Sequence, residues 1–297
     1  MCNGKKIGLF IPTLNGEQEI KFLLEQIKRS GKLFDQKLAI DSESTDNTVK
    51  LLHDANFKVQ VIKKVEFTHG RVRKRGLAEL SDCDYVVMIT QDIQPFEDAF
   101  LNLVEFIDSH KKMASAYGRQ LVNEKIGTLY EARSRKFNYP DYDMVKSQAL
   151  IGILGIKTIF QSDAFVVYDV KIAQALGSFP EIIDFAEDQY MAAQAILKGY
   201  TVGYAAKAVV YHQHNYSLLE EYHRFKAAGR FNKEYKKLLS HFGTNESEGC
   251  KYVVSEIKYY LKSGNILKIP KFLAINVAKY LGYKVGERSN EKFLSSK

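Results

Sequence analysis

Acidic and amide side chains gather just beyond three apolar runs in the first third of this 297-residue sequence. Asn15 and Glu17 follow residues 6–13 (KIGLFIPT). Ser42, Ser44, Thr45 and Asp46 follow Asp41, which closes 37–41 (KLAID), and Gln91 and Asp92 follow 85–90 (YVVMIT). One aspartate after a strand is commonly a helix cap or an Asx turn; three strand ends so equipped favour a site. Asp92 is placed to hold a hard cation between two phosphates, and Pro95, itself a marker of the next helix start, weakens capping as its explanation. His212 and His214 (Y-H-Q-H) project to one side of an extended chain. Either or both could reach one metal beside carboxylate and phosphate oxygens, although a surface strand end would tolerate them too. His69-Gly70 with Arg71, Arg73, Lys74 and Arg75 opens a helix, which suits a phosphate or nucleotide or else a solvated basic face. Glu187-Asp188 begins another helix, where the dipole stabilises acids without any chemistry; catalysis by one of them is the alternative.

The elements between these residues must position them. Segments 6–13, 37–41, 57–62 and 85–90 read as strands, and 17–30, 45–55, 70–80 and 97–109 as helices. Ser44 or Thr45 would cap the second helix. Such alternation implies a parallel sheet covered on both faces, and these sheets bind ligands beyond the carboxyl ends of their strands. Residues 120–160, rich in Tyr and Arg, read as an irregular cover. There follow a strand over 159–168, a short helix over 170–176, a helix over 187–197, and two short strands around Lys207 within 201–211. From Ser217 only helices remain, over 217–242, 248–261 and 266–281, separated by Gly243 and Gly264.

Composition, at 45% hydrophobic and 26% charged, excludes collagen, coiled coil and wholesale disorder. The net charge of +8 is unevenly placed: residues 1–214 carry 27 Lys+Arg against 27 Asp+Glu, whereas 215–297 carry 16 against 8. A basic final third suggests an anionic partner, whether a phospholipid surface, a lipid phosphate or nucleic acid, or a solvated helical face. Ile269, Leu273, Val277, Tyr280 and Leu281 share one side of a helix, and Lys268, Lys271 and Lys279 another. That helix would lie in an anionic interface or dock onto the rest of the chain or a second subunit, which leaves a homo-oligomer open. No nucleic-acid motif is present, so that partner is not expected. Cys2, Cys83 and Cys250 are odd in number and lack ligand spacing, which fits a reducing compartment without disulfides or zinc. No signal peptide is visible, and the longest apolar run, 149–156, is far below the ~20 residues of a spanning helix. The expectation is a cytoplasmic protein with peripheral contact at the inner membrane face.

Taken in order, I-P-T-L-N (11–15), I-D-S-E-S-T-D-N-T (40–48), T-Q-D-I-Q-P (90–95), A-E-D-Q-Y (186–190) and G-Y-T-V-G-Y-A-A-K-A-V-V-Y-H-Q-H (199–214) resemble the motifs of inverting family 2 glycosyltransferases. The resemblance spans roughly residues 6–231. It implies an α/β fold of the GT-A nucleotide-diphospho-sugar transferase type with a mainly parallel central sheet. A catalytic domain would cover 1–214, its nucleotide-sugar half ending near 120 and its acceptor half covering 121–214, with a basic helical extension over 215–297. By the same resemblance Thr13 and Asn15 contact the nucleotide and Asp41 reads the base. Asp92 is then the last acid of an Asp-x-Asp metal motif, His212 completes the site for Mg2+ or Mn2+, and Asp188 is the general base.

A narrower resemblance is to bacterial rhamnosyltransferases of cell-wall or O-antigen polysaccharide. It rests on F-T-H-G-R-V-R (67–73), on T-Q-D in place of Asp-x-Asp, on F-Q-S-D-A-F-V-V-Y (160–168) and on K-Y-L-G-Y-K-V-G (279–286). It implies a dTDP-L-rhamnose donor, an acceptor sugar on a polyprenyl diphosphate, and donor contacts at His69, Arg73 and Gln91. Glu17, Ser162, Asp163, Glu187 and His214 are further candidates. Thr90, where many members have the first Asp, the extra Gly16, and Lys74 in place of a commoner Asn depart from the pattern. Transfer of this kind needs a stabilised leaving diphosphate, a base for the acceptor hydroxyl and an in-line anomeric carbon. A UDP-sugar donor is the alternative. A sugar-nucleotidyltransferase would want a basic loop where T-L-N-G-E-Q-E stands, and a non-enzymatic basic protein would want a recognised binding motif.

Overall fold

Strands β1 (Ile7–Thr13), β2 (Gln36–Asp41), β3 (Lys58–Val61) and β4 (Tyr85–Ile89) carry the near-continuous apolar runs that a two-sided sheet demands. They lie parallel in the order β3-β2-β1-β4, each followed by a helix except at β4, where a short strand intervenes. The helices are α1 (Glu17–Arg29), α2 (Thr48–Asp54), α3 (His69–Glu79) and, after β5 (Gln94–Pro95), α4 (Ala99–Asp108). The computed structural model describes residues 4–183, 185–243 and 245–289, without the side chains of 245–247, so Cys2 and 290–297 lie outside the described residues. Successive β1 side chains alternate faces: Phe10 packs with Val72, Leu77 and Met191, whereas Leu9 and Ile11 pack with Ile20, Leu23 and Phe100.

The chain continues through β6 (Met113–Leu121), α5 (Leu129–Asn138), β7 (Met144–Lys146), α6 (Ile151–Leu154), β8 (Phe165–Asp169), α7 (Val170–Ala175), α8 (Glu187–Leu197) and β9 (Thr201–Tyr211). The sheet runs β3-β2-β1-β4-β8-β6-β9-β5, with β7 on β9. Strand β8 is antiparallel to both β4 and β6, and so joins the parallel block to the parallel pair β6 and β9. After β9 come α9 (Leu218–Glu234), α10 (Lys236–Leu239), α11 (Asn245–Lys262) and α12 (Ile269–Arg288).

Several expectations are corrected. The stretch 120–160 is not simply irregular: it holds the end of β6, all of α5, and β7. Helix α5 buries no residue, so it offers no apolar stripe to read; Thr128 caps it, accepting from the Glu131 N–H at 3.2 Å. The strand expected over 159–168 begins only at Phe165, after a 3-10 turn over Gly155–Ile159. The two strands around Lys207 are one, with a register irregularity opposite Gly118 and Arg119. Helix α2 starts at Thr48 because Ser44 and Thr45 are engaged elsewhere.

The C-terminal helix runs to Arg288, and its polar face is rearranged. Lys279 turns inward, its Nζ 3.2 Å from Glu221 Oε1 and beside the rings of Tyr130 and Phe225. Lys268, Lys271, Leu273, Val277, Tyr280 and Leu281 stay exposed. Among the described residues no helix is long and apolar enough to cross a membrane. Helices α9 and α12 meet backbone to backbone: a Cβ on Gly282 would stand 2.2 Å from the Tyr222 carbonyl oxygen, and one on Gly286 2.0 Å from that of Lys226. Gly286→Ala should therefore destabilise the protein by about 1–3 kcal/mol, seen in calorimetry as a Tm fall of roughly 2–4 °C for each kcal/mol. An unchanged Tm would mean the two helices do not pack this closely.

Candidate active site

The carboxyl ends of β1, β2 and β4 meet at one edge, where their polar residues bind each other. Asp41 is fully buried; its Oδ2 accepts from Thr13 Oγ1 at 2.9 Å and Ser44 Oγ at 2.6 Å, and its Oδ1 from the Ser44 N–H at 2.8 Å. Asn15, at a left-handed φ of 46°, gives its N–H to Ser44 Oγ and accepts from the Thr45 N–H, both at 2.8 Å. Gln91 clips β1 to β4, accepting from the Leu14 N–H at 2.9 Å and donating to the Leu14 carbonyl at 3.1 Å. Thr13, Ser42, Phe67, His69, Gln91 and Asp92 line a cleft of about 360 Å3 above this lattice. Asn15, Asp41 and Glu17 do not line it. Asp41 lies beneath Thr13, and Glu17 is occupied with Asn47 and Lys21.

Asp92 meets His212 and His214 because β5 pairs with the end of β9, Gln94 opposite Tyr211. Oδ2 of Asp92 is 3.4 Å from His212 Nε2 and 3.5 Å from His214 Nδ1, and one ligand atom from each residue falls within 4.8 Å of the others. Gln120, buried on β6, decides the His212 tautomer. Its Oε1 accepts from Arg135 Nη1 at 2.5 Å and its Nε2 donates to Ser162 Oγ at 2.8 Å, so the oxygen is what faces His212 Nδ1 at 2.8 Å. An amide oxygen only accepts; Nδ1 therefore carries the proton and Nε2 turns a lone pair towards Asp92. Arg135 Nη2 also lies 3.4 Å from Nδ1, a longer contact that the 2.8 Å bond outweighs.

A lone pair facing a carboxylate calls for a cation between them, a proton or a metal ion. The second imidazole at the same oxygen favours the metal, and one carboxylate with two imidazoles suits a divalent ion. With a proton in that place His212 is cationic; burial and then that charge push His214 down to about 4, so it stays neutral near pH 7. Burial opposes ionisation of Asp92, yet the hydrogen bond and charge of His212 protonated in this way, helped by Thr90 and His214, hold it well below the usual carboxylate range.

A second cleft, also about 360 Å3, is lined by Arg135, Ser162, Asp163, Glu187, Asp188 and Arg224, and shares His69 with the first. Under it Arg73 is buried among acids: Nη1 is 3.0 Å from Glu187 Oε1, and Nε is 3.1 Å from Asp163 Oδ2, an ion-pair distance without hydrogen-bond alignment. The same Nη1 lies 3.0 Å from His69 Nδ1. A guanidinium only donates, so His69 bears its proton on Nε2. Asp163 also accepts from the Tyr168 hydroxyl at 2.7 Å, and burial pushes it up to about 6 against the pull of Arg73. Asp188 accepts from the Gln189 N–H at 2.6 Å; burial, then the charges of Glu187 and Asp163, raise its carboxyl well above the ordinary value. A carboxylate so raised in a cleft is a better proton acceptor than an ordinary one.

Residues 9–177 match the glycosyl transferase family 2 model. The chain belongs to that family. O-antigen chain rhamnosyltransferase RfbN of Salmonella typhimurium strain LT2 is 39% identical over 284 residues, 95% of this chain and 90% of that protein. O-antigen chain rhamnosyltransferase WbaN of Salmonella anatum is 35% identical over 280 residues, 94% and 88% of the two chains. Mannosyltransferase PcManGT from Pyrobaculum calidifontis, solved with GDP-Man and Mn2+, aligns with a TM-score of 0.62 at 13% identity, covering 97% of this chain and 88% of its own. S. aureus TarS 1–349 aligns at 0.56 and 15%, covering 95% and 90%. These likenesses show the GT-A fold, and the family makes the chain a glycosyltransferase.

Sequence reasoning missed several residues that build this family 2 site. Gln120 and Arg135 orient His212, and Arg224 lines the cleft of Asp188. Gln120 had no local signal, since its place beside His212 follows from the pairing of β6 with the distant β9. Because outer contacts of a ligating histidine typically carry 10–100-fold of metal affinity, Gln120→Leu should weaken Mn2+ binding roughly 10–100-fold in calorimetry. Unchanged affinity would remove Gln120 from that role.

Proposed function

We propose that this glycosyltransferase moves L-rhamnose from dTDP-L-rhamnose, with inversion, onto a saccharide carried on a polyprenyl diphosphate, in surface polysaccharide synthesis at the cytoplasmic face of the membrane. The observation that carries the reading is the meeting of two clefts at His69, one bearing Asp92 and the other Asp188. The 39% identity to an O-antigen chain rhamnosyltransferase supports the sugar.

In this reading the nucleotide lies in the cleft of Thr13, Phe67 and Gln91. Asp41 and Asn15 act one layer down, by fixing Thr13 and the loop at Ser44. Asp92, His212 and His214 would hold Mg2+ or Mn2+, which would offset negative charge on the departing diphosphate. His69 stands at the junction where sugar and phosphate meet. Arg73 holds Glu187 and Asp163, and so keeps the start of α8 and its Asp188 in place. Asp188 takes the proton as the acceptor oxygen gives its lone pair to the anomeric carbon. The bond from that carbon to the diphosphate oxygen breaks, and its electron pair leaves with dTDP.

The raised Asp188 sets the sign of the pH dependence: activity is lost as pH falls through its pKa, since a protonated carboxyl cannot accept. The acid limb of kcat/KM should therefore lie above the ordinary aspartate value of about 4. Asp188→Asn should lower kcat by about 10^2–10^4-fold while dTDP binding stays nearly unchanged; full activity in that variant would end the base assignment. A donor panel scored by nucleotide-diphosphate release checks the sugar. Reaction with UDP-sugars but not dTDP-rhamnose would overturn the donor and leave the family role standing.

A further inference from the structure

A third cavity, of about 420 Å3, lies where α5, the segment after β9 and the start of α12 meet, and neither donor nor base uses it. Tyr130, Tyr216, Tyr260 and Phe272 line it, together with Glu131 and with Glu221, whose two oxygens are paired with Lys279 and Arg224. Glu131 commits Oε1 to the His214 N–H at 2.7 Å, whereas its buried Oε2 meets no donor among the described residues. Aromatic side chains beside a carboxylate acceptor match a sugar, whose C–H faces pack on aromatics and whose hydroxyls donate. The cavity adjoins the site already described. His214 lines it, and Tyr216, under the Arg224 guanidinium at 4.2 Å, separates it from the cleft of Asp188.

Its remaining wall is cationic. Lys268 and Lys271 line the cavity, are exposed, and pair with no carboxylate among the described residues. Just before them Ile266 and Leu267 stand out from the turn between α11 and α12, Leu267 at 97% exposure, with Leu261, Lys258 and Lys262 exposed nearby in sequence. An apolar tip flanked by lysines is what an anionic bilayer interface accommodates. Within residues 260–275, then, a sugar-binding wall, a pair of cations and a bilayer-seeking tip follow one another.

We propose that this seam holds the lipid-proximal end of the acceptor: its first sugar in the cavity, its diphosphate on Lys268 and Lys271, and its isoprenoid in the bilayer that Ile266 and Leu267 enter. The inference rests on the acceptor class proposed above and adds where that acceptor is gripped. The far, receiving end of the saccharide then passes the Arg224–Tyr216 stack to reach Asp188.

The test is flotation of the full chain with phosphatidylcholine vesicles containing undecaprenyl diphosphate, bare or bearing one hexose, against vesicles of equal charge made with phosphatidylglycerol. The wild type should prefer the diphosphate lipid, and the hexose should strengthen binding. The K268A/K271A variant should lose that preference, a drop on the order of thirtyfold for two lysines. Ile266→Asp with Leu267→Asp should lose binding to both vesicle types. Circular dichroism and dTDP binding should be unchanged in both variants, since these side chains are exposed and outside the donor cleft. Equal binding to all anionic vesicles, or a preference that survives K268A/K271A, overturns the proposal, and no gain from the hexose removes the cavity from it. Failure of the wild type to bind dTDP would instead sink the donor reading, whatever the vesicles show.

Discussion

A buried arginine governs the geometry of this protein. Removing a guanidinium from water costs several kcal/mol unless charge and hydrogen bonds are returned to it. Arg73 meets that demand with carboxylates from two separate places, Asp163 ahead of β8 and Glu187 at the start of α8. Three segments far apart in the chain must therefore come together for any of the charges to be tolerated. Two consequences reach the site. His69, one turn before Arg73 on α3, has its tautomer fixed, and Asp188, next to Glu187, is raised first by its burial and then by the charges of Glu187 and Asp163.

His212, beside Asp92 and His214, is held by a different device, a line of hydrogen bonds. Ser162, adjacent to Asp163, accepts from Gln120, and Gln120 accepts from His212. One loop, Gln161–Ser162–Asp163, thus joins the ionic cluster directly and His212 through Gln120, and it fixes the start of α8 and His212 relative to each other. Gln161 anchors that loop from below, bonded to Ser115 and to Tyr168, each at 2.5 Å. Inverting transfer asks for this relation, because the group that takes the proton and the groups that offset the leaving charge lie on opposite sides of one carbon.

Strands with strong apolar runs and helices with a clear stripe were legible in the sequence, because their burial is written in their own residues. The first four strands and helices α1, α3 and α8 lie close to where periodicity puts them, and strand ends, helix starts and motif order singled out residues 92, 188, 212 and 214, which line the two clefts or stand beside Asp92. What could not be read depended on partners far away. Strand β6, with Ala, Ser, Gly and Gln in its run, is a strand because β8 and β9 flank it. Asp41, expected to face a base, is instead withdrawn beneath Thr13, since a strand-end carboxylate can satisfy two hydroxyls and an N–H at once. Lys279 looked like part of a basic face because helical position alone cannot reveal Glu221 on another helix.

Helix α5 makes the same point about the C-terminal helices. With no buried residue of its own, it has little apolar drive to fold, and besides β6 and the segment after β9 it leans on α11 and α12. Arg133 forms a two-point pair with Glu256 at 2.9 and 2.8 Å and lies 3.7 Å from the Tyr259 ring centre, Phe137 meets Tyr252, and Tyr130 meets Phe272. One turn or less away on that helix, Arg135 bonds Gln120 and so reaches His212. The basic helices that follow the sheet therefore support His212 through α5. A chain shortened before α11 would keep His212, Gln120 and Arg135 in sequence while losing the helices that brace α5.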